Sequence, residues 1–444
     1  MIWTDSARQA RSWSARLMVC VALSGLGACA SGPREARILA ITPGYAATKV
    51  NTAIFRHHAI ITQDGRQFVS FYDPEGYVLI AWRDLPSQTW TIHRTDWKGR
   101  VRDAHDVISL GISTDGLLHI SYDHHGHPLR YRRSATPLDP TTFGPLVPMT
   151  GQREKRVTYP QFVNLADGTL LFFYRDGGSG NGDLCINRYR VEDRSWEVLQ
   201  HPIISGEGKC NAYWCRPAVG TDGSLQLAWC WRRTGDAATN SRICYAGSRD
   251  GGRTWTRSNG EPYALPITPE TAEVVDPVEE NNNLSNQDSS DVDSHNRLHV
   301  VVRMNDETKV PNFVHIWFDG ERWRRVQVSH FTGRYDLKGG GSLRTPLSRG
   351  DLFLDADDTV YILYRDNRQD SHPMVARAAA PDYDTWTHFA LADVNLLQWE
   401  PNYDIVRWKR EGILDLFILP TDQGNHETVT ATGPQMASVL EWRP

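Results

Sequence analysis

The sequence predicts an all-β chain folded as a seven-bladed β-propeller. Three observations carry this: tight Asp/Gly-type turns that recur about every fifty residues, period-two apolar runs beside each turn, and a Trp near the end of most repeats. The turns fall at Asp64-Gly65, Asp115-Gly116, Asp167-Gly168, Asp222-Gly223, Ser294-His295-Asn296, Asp355-Ala356-Asp357-Asp358 and Glu411-Gly412. From Asp64 to Asp115, then to Asp167 and Asp222, the steps are 51, 52 and 55 residues. Strands such as Leu118-His119-Ile120-Ser121-Tyr122, Leu170-Leu171-Phe172-Phe173-Tyr174 and Val360-Tyr361-Ile362-Leu363-Tyr364 follow the turns. Asp-Gly between apolar runs is a hairpin signal, because the pair tolerates the positive φ angles of a type I′ turn. Trp90, Trp196, Trp255, Trp323, Trp386 and Trp442 mark the closing strands, and seven units make seven blades.

One repeat carries a sharper mark. Ser248-Arg249-Asp250-Gly251-Gly252-Arg253-Thr254-Trp255 fits the Asp-box pattern Ser-x-Asp-x-Gly-x-Thr-Trp, whose Ser and Asp bond their own turn while the Trp packs between sheets. Its role is structural. The 444 residues show no compositional break, so residues 37–444 are expected to form one domain, with Pro266 to Ser290 as an insertion between blades four and five. A net charge of −5 gives no reason to expect nucleic acid, and the chain has no Walker loop, dinucleotide fingerprint or zinc-finger spacing. A monomer is expected.

Residues 1–29 are expected to be a lipoprotein-type signal peptide. Arg8, Arg11 and Arg16 precede an apolar stretch from Leu17 to Leu26, too short for a permanent span, which ends in Leu26-Gly27-Ala28-Cys29. Cys29 is then the lipidated residue; a plain secretory signal cut near Ala28 or Ala30 is the alternative. Either way the protein is exported, and Ala30 in place of Asp suits lipoproteins sent to the outer membrane, so periplasm or outer-membrane surface is the expected location. A lipid anchor would be its one membrane contact. Without Cys20 and Cys29, five cysteines remain: Cys185, Cys210, Cys215, Cys230 and Cys244. Cys210 and Cys215 are close enough for a bridge; otherwise all five are small buried residues of strands.

In a propeller the start of each first strand and the end of each second strand share one face. That rule gathers His105, His124 and His125 from blade two, Tyr159 and Arg175 from blade three, and Tyr213, Arg232 and Arg233 from blade four. Asn286, Gln287 and Arg303 come from blade five, Arg344 or Arg349 with Arg365 from blade six, and Trp399 with Glu400 from blade seven. Arginine grips carboxylates through paired hydrogen bonds, so the mouth suits an anionic ligand. The competing reading is a structural belt in which the arginines pair with Asp176, Asp306 and Asp366. Histidines and tyrosines beside arginine, without a facing carboxylate pair of glycosidase type, fit β-elimination at a uronic acid. Such a reaction needs a cation on the carboxylate, a base for the C5 proton and an acid for the departing O4.

Val50-Asn51-Thr52-Ala53-Ile54-Phe55-Arg56, Arg102-Asp103-Ala104-His105-Asp106, Tyr122-Asp123-His124-His125, Arg156-Val157-Thr158-Tyr159-Pro160, Tyr174-Arg175-Asp176-Gly177-Gly178, Asn211-Ala212-Tyr213-Trp214 and Leu265-Pro266-Ile267-Thr268 resemble bacterial BNR-repeat propellers over about residues 45 to 440. That group includes polysaccharide lyase family 42, L-rhamnosyl-α-1,4-glucuronate lyases, and glycoside hydrolase family 145, α-L-rhamnosidases on the same linkage; the ulvan lyases of families 24 and 25 are more distant. The resemblance implies an exported lyase that leaves an unsaturated uronate on an acidic, rhamnose-containing polysaccharide or oligosaccharide. It implies a catalytic set of His105, His125, Tyr159, Arg175 and Tyr213, with the order of base and acid open. His124, Arg232, Arg233, Asn286, Gln287, Arg303, Arg365 and Trp399 are the expected substrate contacts. The hydrolase alternative would use His57 or His58 just after the Phe55-Arg56 pair, and a non-catalytic glycan-binding propeller is a third reading. The elimination itself needs no cofactor; the resemblance implies a structural metal ion, calcium or zinc, near the channel, without placing it.

Overall fold

The computed structural model describes residues 36–444, so Cys29 and the expected signal peptide lie outside the described residues. Antiparallel sheets form seven blades. Blade one is Ile60–Gln63, Arg66–Tyr72, Tyr77–Asp84 and Thr91–Lys98; blade two is Ile108–Ile112, Leu118–Tyr122 and Tyr131–Arg133, with only a Ser134–Phe143 bridge at the fourth position. Blade three comprises Val157–Asn164, Leu170–Gly178, Asn181–Arg190 and Ser195–Ser205, and blade four Asn211–Trp214, Leu225–Arg232, Asn240–Ser248 and Glu273–Asp276. Ser289–Val292, Leu298–Asn305, Pro311–Phe318 and Trp323–Gln327 make blade five; Asp351–Leu354, Val360–Asp366, His372–Ala378 and Thr387–Ala390 make blade six.

The last blade joins both ends of the described chain. Leu414–Ile418 pairs with Gln435–Trp442, which pairs with Arg37–Gly44 as the outermost strand, while Tyr403 bridges to Leu416 on the inner side. Ring closure therefore relies on a strand from the start of the propeller completing a sheet built at its end.

The turns correct the expected geometry in a physical way. Only Asp64-Gly65 has positive φ at both residues, 49° and 76°, as a two-residue type I′ hairpin requires. At Asp115-Gly116, Asp167-Gly168 and Asp222-Gly223 the Asp is not left-handed. Instead Gly116, Gly168 and Gly223 donate back to Ser113, Leu165 and Gly220 at 2.8, 2.8 and 3.0 Å. These are longer loops with a type I turn and a left-handed glycine at its end, φ 75° to 83°. The last signal was misread: Glu411-Gly412 is no hairpin turn but the end of the α-helix Ile405–Glu411, capped by Asp404 Oδ1 on Arg407 N and closed by Gly412 at φ 63°.

The stretch after Pro266 is likewise not a plain insertion, since Glu273–Asp276 is the outer strand of blade four. Cys210 and Cys215 are not bridged, and all five described cysteines are free and buried. The Asp-box behaves as expected: Ser248 Oγ donates to Asp250 Oδ1 at 2.8 Å, Asp250 accepts from the Arg253 and Thr254 amides, and Trp255 donates Nε1–H to Gly252 O at 2.9 Å. Trp255 is buried within the largest apolar cluster, beside Trp229, Leu225 and Tyr263. Among the described residues no helix is long and apolar enough to cross a membrane. Trp255→Ala should cost about 3–5 kcal/mol through lost burial and the cavity left behind, read as a lower denaturant midpoint. An unchanged midpoint would show that the Asp-box Trp does not wedge the blades.

Candidate active site

The strand ends converge as blade geometry requires, around a cavity of about 70 Å³ lined by Lys49, Phe55, His105, Tyr159, Arg232, Asn286, Gln287, Arg303, Arg349 and Glu400, among others. Its catalytic-looking corner is built from blades two, three and four. In the first strand of blade three, Thr158 pairs with Arg175 but Gln161 pairs with Phe173, so the register slips across Tyr159-Pro160. The bulge places Tyr159 at φ 58°, a left-handed conformation costly for a bulky residue, and puts it in the cavity wall. His125–His127 leaves its own blade and pairs with Val157–Asn164, setting His125 opposite Thr158.

Asp103 holds the two imidazoles. Its Oδ1 lies 2.9 Å from His105 Nδ1 and its Oδ2 lies 2.6 Å from His125 Nδ1, while the rings stack with centroids 4.1 Å apart. Glu427, from the long loop of blade seven, adds a contact at 3.0 Å to His105 Nδ1 and accepts from the Ala104 and Ser342 amides. For His105, burial favours the neutral ring, but the bonds to Asp103 and Glu427 more than offset it, and its pKa is raised to about 9. His125 moves the other way: the neighbouring His105 charge lowers it, burial adds to this, and Asp103 opposes. One imidazole is charged and the other neutral.

Tyr213 sits between two guanidiniums. Arg232 Nη1 donates to its hydroxyl at 3.2 Å and Arg175 Nη1 at 3.4 Å, and the Ser179 hydroxyl lies 2.8 Å away. Burial would raise the Tyr213 pKa, yet Arg232 and Arg175, with Ser179, bring it down to about 8. Tyr159 is raised, by burial first and by Tyr213 second, so Tyr213 is the first of the two to lose its proton as pH rises towards 8 and Tyr159 keeps its own. Arg175 is not the rim residue expected. It is 1% exposed, lies 4.7 Å from the Tyr159 ring and donates to Thr158 Oγ1 at 3.1 Å, whereas Arg232 lines the cavity.

Other expected contacts sort by burial. Asn286, Gln287 and Arg303 line the cavity. Trp399 does not: it is fully buried and donates to Phe417 O inside the blade-six and blade-seven core. His124 is buried, with Nε2 accepting from the Arg130 amide. Arg233 faces solvent and pairs with Glu280 at 2.7 Å. Arg365 is spent on the Trp399, Pro346 and Thr345 carbonyls. The acidic belt is also absent as drawn, since Asp176 pairs with Arg153, Asp366 with Arg368, and Asp306 caps its own turn. His57 and His58, at φ 39° and 30°, head the inner strand of blade one. Burial lowers both, with Arg216 adding to it, His58 to about 4.

Sequence reasoning missed Asp103, Glu427, Ser179 and Lys49. Asp103 lies two residues from His105 inside a quoted motif, so its spacing could have been read; Glu427 lies in an irregular loop with no periodic signal. Asp103, His105 and His125 offer three donor atoms within 4.8 Å of one another, as do Asp293, His295 and Asp358. In the first group both Asp103 oxygens already face imidazole nitrogens at hydrogen-bond distance, so a cation such as zinc would have to displace those bonds.

With this geometry in place, sequence comparison gives the lineage. A model of the BNR repeat-containing family matches residues 66–331, more than half of the chain. The chain belongs to the BNR repeat-containing family. Compared with curated proteins, it is 22% identical over 314 residues to an ulvan lyase of Alteromonas sp. (strain LOR), covering 61% of this chain and 64% of that protein. A long-isoform ulvan lyase of the same organism is 28% identical over 124 residues, which is 25% of this chain and 12% of that protein. The BNR-repeat chain thus spans under two thirds of these relatives. Two solved structures share its fold: the polysaccharide lyase Uly1, with a TM-score of 0.67 at 17% identity over 87% of this chain and 89% of that one, and a family 25 ulvan lyase, with 0.65 at 16% over 91% and 95%.

The charge balance under Phe55 is testable. Glu400 accepts from Lys49 Nζ at 3.0 Å and the Ile54 amide at 3.0 Å, both buried, and from the part-buried Arg349 Nη2 at 2.6 Å. Burial would raise its carboxyl, but Arg349 and Lys49 hold it well below its ordinary 4.5. A depressed folded-state pKa means that the unfolded chain takes a proton first; the stability Glu400 contributes is complete above 4.5 and is lost as pH falls below it. Glu400→Gln should destabilise by about 3–5 kcal/mol at pH 7, because two buried cations lose their partner. The variant should also show a shallower acid loss in urea titrations at pH 7 and pH 4. Equal midpoints for the two proteins at pH 7 would refute the role.

Proposed function

We propose that this protein is an exported lyase that cleaves an L-rhamnosyl-α-1,4-glucuronate linkage by β-elimination, leaving an unsaturated uronate. The observation that carries the reading is the division of labour at one corner of the cavity. A neutral imidazole (His125), a charged one (His105), a protonated phenol (Tyr159) and a phenol flanked by two guanidiniums (Tyr213) stand together. The carboxylates beside them are all committed: Asp103 to both histidines, Glu427 to His105 and two amides, Glu400 to Lys49 and Arg349. No pair of these is left to act as a glycosidase acid and base.

The uronate carboxylate would lie against Arg232, with Arg175 supporting from behind Tyr159 and Tyr213, so that charge developing at C5 and the carboxylate meets fixed cations. His125, held neutral, is the imidazole able to accept the C5 proton. Tyr159, which keeps its proton, is the donor to the departing O4. The two can work from one side, as a glucuronate with C5–H and O4 on the same face requires. Support also comes from the curated relatives named as ulvan lyases and from a solved structure of similar fold, a family 25 ulvan lyase bound to -[GlcA(1-4)Rha3S]-.

The direct test is the product. Purified protein with a rhamnosyl-glucuronate oligosaccharide should give ultraviolet absorbance from the new double bond, and a product lighter by one water than hydrolysis would give. A saturated product would favour the α-L-rhamnosidase alternative at His57 or His58, and binding without product would favour a glycan-binding propeller. Tyr159→Phe should lower kcat by about 10²–10⁴-fold with the fold intact. The rate should follow a bell in pH: it falls on the acid side as His125 gains a proton, below its ordinary 6.5, and on the alkaline side near 8 as Tyr213, beside the proton donor Tyr159, ionises. A flat profile between pH 5 and 9 would sink these assignments.

Export as a lipoprotein is part of the same proposal. Labelled palmitate should enter the wild-type protein in its bacterial host and not Cys29→Ala; labelling of both, or neither, would refute the anchor.

A further inference from the structure

Two loops meet over the mouth of the cavity. Residues 337–345 run from the outer strand of blade five towards the inner strand of blade six, and residues 422–428 join the second and third strands of blade seven; neither stretch contains a strand or a helix. The first loop is tied to blade four, where Gly339 N donates to Asp236 Oδ1 at 2.7 Å and Ala237 N to Gly339 O at 2.9 Å. It is also tied to the second loop. The His426 amide donates to Ser342 O at 2.9 Å, the Arg344 amide to Asn425 Oδ1 at 2.7 Å, and Arg344 Nη1 to Asp422 Oδ1 at 2.5 Å. Glu427 completes the crossing: Oε1 accepts from the Ser342 amide at 2.5 Å and lies 3.0 Å from His105 Nδ1, while Oε2 accepts from the Ala104 amide at 3.0 Å. Blade two stands opposite blades five and six in a ring of seven, so contacts that run from Ser342 through Glu427 to His105 pass over the axis.

The space beneath this strap is small. Leu337, Gly341, Ser342, Leu343 and Thr345 line the cavity together with His105 and Tyr159. Its volume of about 70 Å³ holds a few waters, whereas sites for small molecules run to roughly 300–1,000 Å³. Two sugars astride a cleaved bond do not fit while the strap lies where it does. Its attachment is of a kind that opens. None of its residues joins an apolar cluster among the described residues; hydrogen bonds and the half-exposed Arg344–Asp422 pair hold it, and segments held in that way open at lower free energy than packed strands. Gly339 and Gly341, at φ 92° and 70°, give the first loop places to turn, and a Cβ on Gly339 would lie 2.4 Å from His426 Cε1.

We propose that residues 337–345 and 422–428 form a gate over the mouth with Glu427 as its latch: the gate lifts to admit an oligosaccharide, and on closing it returns Glu427 to His105 as a positioning residue for the elimination. The gate rests on the reading that the cavity takes a glycan. With the gate lifted, His105 keeps Asp103 alone and the Ala104 amide loses its acceptor, so the catalytic corner is complete only when the substrate is enclosed.

Binding kinetics test it. A fluorescently labelled rhamnosyl-glucuronate oligosaccharide is mixed at rising concentration with Tyr159→Phe protein, whose turnover is slow, in a stopped-flow instrument. A gate gives an observed rate that levels off at the rate of opening; a mouth that is always open gives a rate that climbs in proportion to concentration. The rate should level off. Adding Arg344→Ala, which frees the two loops from one ion pair, should raise the plateau about two- to fivefold, the scale of an exposed pair. Adding Glu427→Gln should raise it about tenfold or more, the scale of a charge-assisted hydrogen bond. With Tyr159 intact, Glu427→Gln should lower kcat by about tenfold or more with a smaller change in KM, because His105 loses one of its two holders. A proportional rise throughout, or plateaus that neither substitution moves, would overturn the gate. Cleavage by wild type with a proportional rise keeps the lyase and removes the gate; a plateau without cleavage does the reverse.

Discussion

The burial of charge at the mouth of the propeller is the constraint on which the site depends. Ions taken from water must be paired or they cost several kcal/mol each, and here the cavity wall carries Lys49, Arg232, Arg303 and Arg349 against Glu400. Glu400 resolves the part nearest the channel. By accepting from Lys49, Arg349 and the Ile54 amide, it ties the loop before blade one to the loop before blade six and to its own blade. Phe55 is fixed by the same contacts. Its ring stacks 5.5 Å from His105, meets Tyr159 edge-on at 5.0 Å and lies 5.1 Å from the Arg349 guanidinium. A carboxylate that touches neither histidine nor tyrosine thus sets the floor on which both stand.

Asp103 solves the corresponding problem for the imidazoles. One carboxylate between two rings cannot support two full positive charges 4.1 Å apart, so the pair splits into a charged and a neutral member. Glu427 decides which. Its extra contact falls on His105, and it comes from a loop that also binds the Ser342 amide above the cavity. The acid–base difference that elimination needs is therefore produced by the closure of the ring, where the last blade reaches back over the second.

This explains what the sequence could and could not show. The blade period was legible because each repeat has to make the same hairpin and bury the same alternating face, and the rule that first-strand starts meet second-strand ends brought Tyr159, Arg232, Gln287 and Arg303 to one mouth. Side-chain depth was not legible. Arg175 and Arg365 occupy equivalent strand ends to Arg232 and Arg303, yet the first lies under two tyrosine rings and the second is saturated by carbonyls. Trp399 follows the blade pattern and still faces the core, because Phe417 O captures its indole N–H. Glu411-Gly412 looked like a hairpin for a simple reason: a helix C-cap and a hairpin turn both want a left-handed glycine, and only the Asp404 cap and the basic last turn distinguish them.

Glycine and bulge positions finish the site in a way that pattern alone does not encode. Gly182 packs where any Cβ would meet Asn211 Oδ1 at 2.6 Å and the Arg175 side chain at 2.8 Å. That close approach lets the hairpin between the second and third strands of blade three press Arg175 towards Tyr213. On the first strand, the slip at Tyr159-Pro160 turns the phenol out of the ladder while Thr158 keeps its place as acceptor for Arg175. The two irregularities act on opposite sides of one guanidinium. The bulge turns Tyr159 out of the ladder and the glycine leaves room for the Arg175 side chain, and that buried charge, with Arg232, is what makes Tyr213 the more acidic phenol of the pair.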